Sequence, residues 1–398
     1  MRHSIVLRFM ILGLALGAIA FIASKLYNSN PEATAQKILS SADIAINGER
    51  PSDILVHNHD LFSRVLAQGS LGLGESYMDG WWDSDALDQF FFKLFRSGAI
   101  ANAPVTLNTI FAVLQSKLMN LQSKARAFQV GEQHYDLGDD LFALMLDKRM
   151  IYSCAYWKNA KNLDQAQEHK LDLICKKLYL RPGMKVLDIG CGWGGLAQYM
   201  AQKYGVNVVG VTISKEQAKC AQERCKGCDV EIRLQDYRDI NETFDRIVSV
   251  GMFEHVGYKN YQIFIDMCHQ LLKDDGLMLL HTIGSNQSYS NGDDWINKYI
   301  FTNGMLPSIC QIAKTLEGKF VMEDWHNFGA DYDKTLMAWH ANFIKGWPEI
   351  QAKYGDRFYR MWNYYLLSCA GLFRARSIQL WQIVISKKGE LGGYQSIR

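Results

Sequence analysis

The stretch Val186-Leu187-Asp188-Ile189-Gly190-Cys191-Gly192-Trp193-Gly194-Gly195 constrains this chain more than any other part of it. A short apolar run, bounded by Pro182-Gly183, enters a Gly-rich turn, and a helical pattern follows. Glycines let a backbone approach a ligand closely, and the helix N-terminus behind them offers free N–H groups. Such a turn needs a buried strand before it and a helix after it, which points to an α/β fold. The pattern repeats downstream. Apolar runs at 185–189, 206–211, 230–234, 244–250 and 277–283 predict strands, with helical stretches at 194–204, 215–225 and 260–273 between them. Alternation at this spacing means βαβ units and a parallel sheet. Residues 379–385 predict a late strand, and 285–345, rich in Trp, Asn and Tyr, read as an insertion.

Ahead of this region, residues 34–125 read as a mainly helical domain with Gly-rich turns, and Leu71 to Trp82 is a compact aromatic stretch. With 398 residues the chain is long enough for a sizeable core. A 48% hydrophobic, 21% charged composition excludes a disordered chain, a collagen-like repeat and a polytopic membrane protein. A net charge of +2 argues against a dedicated nucleic-acid binder. Aromatic residues, at 12%, fit a large core and contact with apolar matter equally well. Nine scattered cysteines read as reduced thiols, and Cys220, Cys225 and Cys228 lack the second ligand pair a zinc site needs, so no metal is expected.

Residues 5–23 are apolar except for Arg8. The uncharged part is shorter than the roughly 20 residues that span a bilayer. An uncleaved anchor or interfacial segment, a signal peptide and a plain apolar helix all fit. The anchor is favoured, because a cleaved signal would carry the thiols into an oxidising compartment. Residues 1–30 are therefore kept apart as a separate segment.

A Gly-x-Gly-x-Gly turn serves dinucleotides as well as other nucleosides. Asp188, two residues before Gly190, narrows the choice: it can face an ammonium group, which S-adenosylmethionine carries and NAD lacks. The second strand ends at Thr212 with no acid for ribose hydroxyls; Thr212 and Gln217 are neutral candidates for that role. Asp236 and Tyr237, after the third strand, suit an adenine amino group and a ring wall. With Gly190, Cys191, Gly192 and the preceding Tyr152 and Ser153, these residues form the expected methyl-donor site. A nicotinamide dehydrogenase is disfavoured and stays an alternative.

Catalytic groups in open α/β sheets lie beyond the carboxyl ends of the strands. Glu254 follows the fourth strand and His281 is expected at the end of the fifth, so both are expected in one crevice. Tyr332 falls in a loop-like patch, Gly329 to Asp333.

Several motifs together make the chain recognisable: Leu71–Trp82, Tyr152–Trp157, Val186–Gly195, Gly251–Gly257, His281–Gly284, Trp295–Phe301, Trp325–Tyr332 and Cys369–Trp381. From about residue 40 onward the chain resembles bacterial cyclopropane-fatty-acyl-phospholipid synthases, relatives of the mycolic acid cyclopropane synthases. The resemblance implies a class I S-adenosylmethionine methyltransferase fold, Rossmann-like with a seven-stranded sheet, over 126–398, behind the small helical domain. It implies methylene transfer to a cis double bond of an unsaturated phospholipid acyl chain, with a lipid-binding role for 285–345. In family terms bicarbonate sits beside the sulfonium. The matching positions are the backbone around Cys154, the side chains of Glu254, His281 and Tyr332, and the backbone of Ile283. Cys369 matches a cysteine assigned to the family's active site. The expected partner is a phospholipid bilayer, at the inner face of the cytoplasmic membrane; a homodimer is allowed and no nucleic acid is expected. The apolar N-terminal segment departs from the family pattern. A methyltransferase that branches acyl chains without closing rings, and a tethered donor-binding protein without activity, stay as alternatives.

Overall fold

A computed structural model describes residues 30–99 and 138–398. The first part is helical. Helices α1 (Pro31–Ser41), α2 (Asp60–Gln68), α3 (Ser70–Met78) and α4 (Leu87–Arg96) are joined by turns and by the two-residue strands β1 (Leu55–Val56) and β2 (Trp82–Asp83). Asn30 starts α1 by accepting the N–H groups of Glu32 and Ala33, the usual role of an Asn N-cap.

After α5 (Asp139–Met145) and α6 (Leu163–Lys177), the alternation read from the sequence appears. It runs β3 (Lys185–Ile189), α7 (Gly195–Tyr204), β4 (Asn207–Thr212), α8 (Lys215–Arg224), β5 (Val230–Leu234), β6 (Phe244–Val250), α9 (Tyr261–Leu271) and β7 (Leu272–Ser285). Then come α10 (Asp294–Tyr299), α11 (Ile309–Leu316), β8 (Val321–Asn327), α12 (Ala330–Arg374) and β9 (Ile378–Ser386). The sheet has seven strands in the order β5-β4-β3-β6-β7-β9-β8. β3 to β7 pair in parallel, whereas β9 runs antiparallel between β7 and β8. Apolar side chains bury both faces: α6, α7 and α8 cover one, α9 and α11 the other.

Three features differ from the sequence reading. Within 285–345, β8 is an edge strand of the main sheet rather than part of an excursion from it. Its sequence, Val-Met-Glu-Asp-Trp-His-Asn, is polar and only Asp324 in it is buried, so no apolar run announces it. The Gly329–Asp333 patch is not a loop. It opens α12, with Asp331 and Asp333 in the first turn, where the helix dipole favours acids. His281 is the last residue of β7 to pair with β6, but it is not the strand tip, because pairing with β9 carries β7 on to Ser285.

Helix α12 breaks at Gly355, whose φ of 75° and ψ of 168° are readily reached only without a Cβ. The chain doubles back there. Phe343 stacks on Tyr359 and Tyr332 on Phe373, so the two halves form an antiparallel hairpin. This hairpin, α10 and helices α1 to α4 share one apolar core that includes Trp82, Trp295, Trp339 and Trp362. Ion pairs tie the same parts together: Arg374 bridges Asp88 and Asp333, and Arg360 reaches Asp83. Much of the aromatic content is thus core. The apolar segment at 5–23 and residues 100–137 lie outside the described residues; among those described, no helix is long and apolar enough to cross a membrane.

Candidate active site

The Gly-rich turn works because β3 delivers it to the carboxyl edge of the sheet. Gly190 takes a φ of 83°, and a Cβ there would stand 2.9 Å from the Met252 side chain. The N–H groups of Gly190 and Cys191 both reach Val211 O at 3.0 Å, which ties the turn to β4. A cavity of about 200 Å³ opens above it. Tyr152, Ser153, Asp188, Gly190, Cys191, Gly192, Thr212, Gln217, Asp236 and Tyr237 all line this one cavity.

Their partners set its electrostatics. Asp188 is fully buried and its Oδ2 has no hydrogen-bond partner among the described residues. Burial pushes its carboxyl up to about 7, against the pull of nearby Lys170. Thr212 donates to Gln217 Oε1 at 2.9 Å. Asp236 holds the Arg238 guanidinium through both carboxylate oxygens, at 2.8 and 2.6 Å, a partner not foreseen from sequence.

The strap 150–157 crosses the cavity and is held from two sides. Asp147 accepts the N–H groups of Arg149 and Ile151. From α12, Thr335 Oγ1 accepts from Ala155 N at 3.1 Å and from Trp157 Nε1 at 2.9 Å. From α6, Gln167 donates to Ser153 O at 2.9 Å, and Lys170 donates to Ser153 Oγ at 2.7 Å. The Tyr152 hydroxyl bonds that of Tyr365 at 2.8 Å.

Glu254 sits in the 3₁₀ turn Phe253–His255 after β6. Its Oε1 accepts from Ile283 N on β7 at 2.7 Å, and its Oε2 is buried without a partner among the described residues. Burial raises this carboxyl to about 7. The His281 ring is buried, and burial together with the charges of Lys170 and Lys177 keeps it well below the usual imidazole range. Its Nδ1 meets Gln382 Nε2 at 3.3 Å, and its Nε2 has no partner among the described residues. Tyr332 is buried, and its hydroxyl is pushed well up by burial and then by nearby Cys154, Tyr152, Glu254 and Cys369. The Cys369 thiol, on the second half of α12, is raised by burial to about 12.

Glu254 and Ile283 are therefore in direct contact, and Tyr332 has Cys154, Glu254 and Cys369 around it. His281 reaches neither Glu254 nor Tyr332 by a hydrogen bond among the described residues. None of these six lines the donor cavity itself. Cys220, Cys225 and Cys228 turn to different partners, and no group of three or more metal-ligating side chains occurs among the described residues. Sequence reasoning missed Gln167, Lys170 and Thr335. Gln167 and Lys170 had a signal: both fall on the face of α6 that also carries Leu163, Ala166, Leu171 and Ile174, all buried. A polar side chain on such a face needs a buried partner.

Known proteins resemble this chain in sequence and fold. Residues 122–383 match the family described as mycolic acid cyclopropane synthetase. A cyclopropane-fatty-acyl-phospholipid synthase of Escherichia coli K12 is 62% identical over 358 residues, covering 90% of this chain and 94% of that protein. Cyclopropane mycolic acid synthase 1 of Mycobacterium tuberculosis is 36% identical over 275 residues, covering 64% of this chain and 96% of that one. The crystal structure of mycolic acid cyclopropane synthase CmaA1 complexed with SAH and CTAB superposes with a TM-score of 0.61 at 36% identity, over 65% of this chain and 98% of that one. The fold is that of the class I S-adenosylmethionine-dependent methyltransferases. The chain belongs to the mycolic acid cyclopropane synthetase family of S-adenosylmethionine-dependent enzymes.

Proposed function

We propose that this enzyme adds the methyl carbon of S-adenosylmethionine across a cis double bond of an unsaturated phospholipid acyl chain, giving a cyclopropane ring and S-adenosylhomocysteine. The observation that carries the reading is two buried polar atoms without partners among the described residues, Glu254 Oε2 in the turn after β6 and His281 Nε2 on the neighbouring β7, beside the donor cavity. Buried polar groups are usually partnered, so two such atoms close to one cavity support a ligand there.

An alkene is a poor nucleophile, so the donor must be aligned and kept dry. The π electrons form a bond to the methyl carbon, the carbon–sulfur bond breaks, and its electrons stay on sulfur. The other alkene carbon becomes a cation. Ring closure needs a base beside the new methyl group: one proton leaves, and the C–H electrons close the ring.

The unpartnered atoms fit a small oxyanion. Bicarbonate, when bound, supplies a singly charged oxygen base there. Glu254, with its carboxyl near 7, is protonated in a substantial fraction of molecules at neutral pH and then donates from Oε2 rather than repelling the ion. His281 presents Nε2, and Tyr332, whose hydroxyl burial keeps protonated, offers O–H. The backbone around Cys154 and Ile283 completes the set. Cys369 lines the site and is no nucleophile, because the alkene attacks the sulfonium directly.

In this reading the acyl chain comes from a bilayer at the cytoplasmic face, with residues 1–30 tethering the enzyme to it and 285–345 contacting lipid. A homodimer is compatible with it. Mass spectrometry of lipids from cells expressing the protein tests the reaction. Fatty acids heavier by one CH₂ that resist hydrogenation are expected; methyl-branched products would replace this reading with a chain-branching methyltransferase.

A further inference from the structure

The amino-acid end of S-adenosylmethionine carries an ammonium group and a carboxylate. Asp188 suits the ammonium: it lines the cavity, is 1% exposed and, among the described residues, leaves Oδ2 unpartnered. A matching cation for the carboxylate is found on α6. Lys170 is also 1% exposed and lines the same cavity. A buried lysine needs anionic or strongly accepting company. Its one hydrogen bond among the described residues goes to Ser153 Oγ at 2.7 Å.

That bond has a directional consequence. An ammonium group has only donors, so Ser153 Oγ must accept. The hydroxyl's own hydrogen is then free to donate elsewhere, and Ser153 lines the cavity too. Gln167, one turn earlier on α6, fixes the carbonyl of the same residue at 2.9 Å. One helix therefore sets both the backbone and the side chain of Ser153. The nearby carboxyl groups that act on Lys170 are Asp147 and Asp188, the first of them buried under the strap.

We propose that Lys170 is a positioning residue for the carboxylate of the methyl donor: it makes Ser153 Oγ–H a dedicated donor to that carboxylate, while Asp188 takes the ammonium group. Lys170 and Asp188 then match the two opposite charges of the ligand in a dry pocket. The proposal rests on the donor being S-adenosylmethionine.

Calorimetric titration of the full chain with two probes tests it. S-adenosylhomocysteine has the amino-acid end and 5′-methylthioadenosine lacks it. In Lys170→Met, S-adenosylhomocysteine is expected to bind about tenfold or more weakly, the scale of one charge-assisted hydrogen bond. Methylthioadenosine is expected to bind as in the unmodified protein. Ser153→Ala should show the same selective loss, and Lys170→Met should add little to it in the double variant. Equal loss for both probes means Lys170 only supports the strap, for instance as counter-ion to Asp147, and overturns the proposal; so does no loss at all. If Lys170→Met fails to fold, Ser153→Ala decides, since an unchanged ratio of the two affinities there also overturns it. Failure of the unmodified protein to bind S-adenosylhomocysteine would instead remove the donor reading itself.

Discussion

The Glu254 carboxylate, in the turn after β6, accepts the backbone N–H of Ile283 on β7 at 2.7 Å. One oxygen is thereby anchored from the turn to the neighbouring strand, and the other is left buried and unpaired among the described residues. The bond orients the group for a ligand rather than for the core. Glu254→Gln is expected to lower turnover by about 10²-fold or more, the usual worth of a positioned proton-transfer group. Affinity for S-adenosylhomocysteine should stay within about twofold, because Glu254 does not line the donor cavity. Paired turnover and binding assays check this, and near-normal turnover would remove Glu254 from the mechanism.

Glu254 and Asp188 also make stability depend on pH. Burial raises their carboxyls to about 7, from 4.5 and 3.8. Between those limits the folded ligand-free protein binds more protons than the unfolded chain, so its stability falls as pH rises through that window. The loss is complete above about pH 7 and amounts to ~3 kcal/mol for Glu254 at most. Lys170, lowered by burial to about 8 from 10.5, acts in the opposite sense at higher pH. Melting temperatures between pH 5 and 8 should fall more steeply in the unmodified protein than in Glu254→Gln. A variant as pH-sensitive as its parent would exclude Glu254 as the source.

Cys369 presents the opposite case. Burial raises its thiol to about 12, which leaves almost no thiolate at neutral pH. Cys369→Ala is expected to keep turnover within about tenfold, since a lining residue contributes packing rather than bond making. Loss of all turnover in a folded Cys369→Ala protein would contradict this.

Thr335 holds two strap donors, Ala155 N–H and Trp157 Nε1–H. Thr335→Val keeps the shape and removes the acceptor. The expected cost is ~1–3 kcal/mol per donor left buried without a partner. Amide exchange at 152–157 should accelerate, and the KM for the methyl donor should rise. Unchanged exchange would show that the strap is held by other contacts.

Deleting residues 1–27 is expected to preserve activity on phospholipid vesicles and to reduce co-sedimentation with them. Co-sedimentation equal to that of the full chain would mean the segment is no anchor.

The central α/β alternation was legible because strands buried on both faces of a parallel sheet need continuous apolar runs. Those of β3, β4 and β6 stand out against their flanking turns. That the residues around the Gly-rich turn would line one cavity was legible for a related reason: such a turn at a strand end lets the backbone approach a ligand closely. β8 was not, because an exposed edge strand tolerates polar residues and carries no such run. Tyr332 was assigned to a loop because the acids of a helix's first turn look like those of a turn.

By itself, then, the sequence determined the strand–helix order, the place of the donor turn and the residue types gathered around it, since each depends on local pattern. Other relationships were decided only by the tertiary structure. These include the antiparallel insertion of β9, the hairpin at Gly355, the anchoring of Glu254 by Ile283 and the burial of Lys170 under Ser153. They join residues far apart in the chain, and their energies come from desolvation and from partners that exist only once the layers have packed.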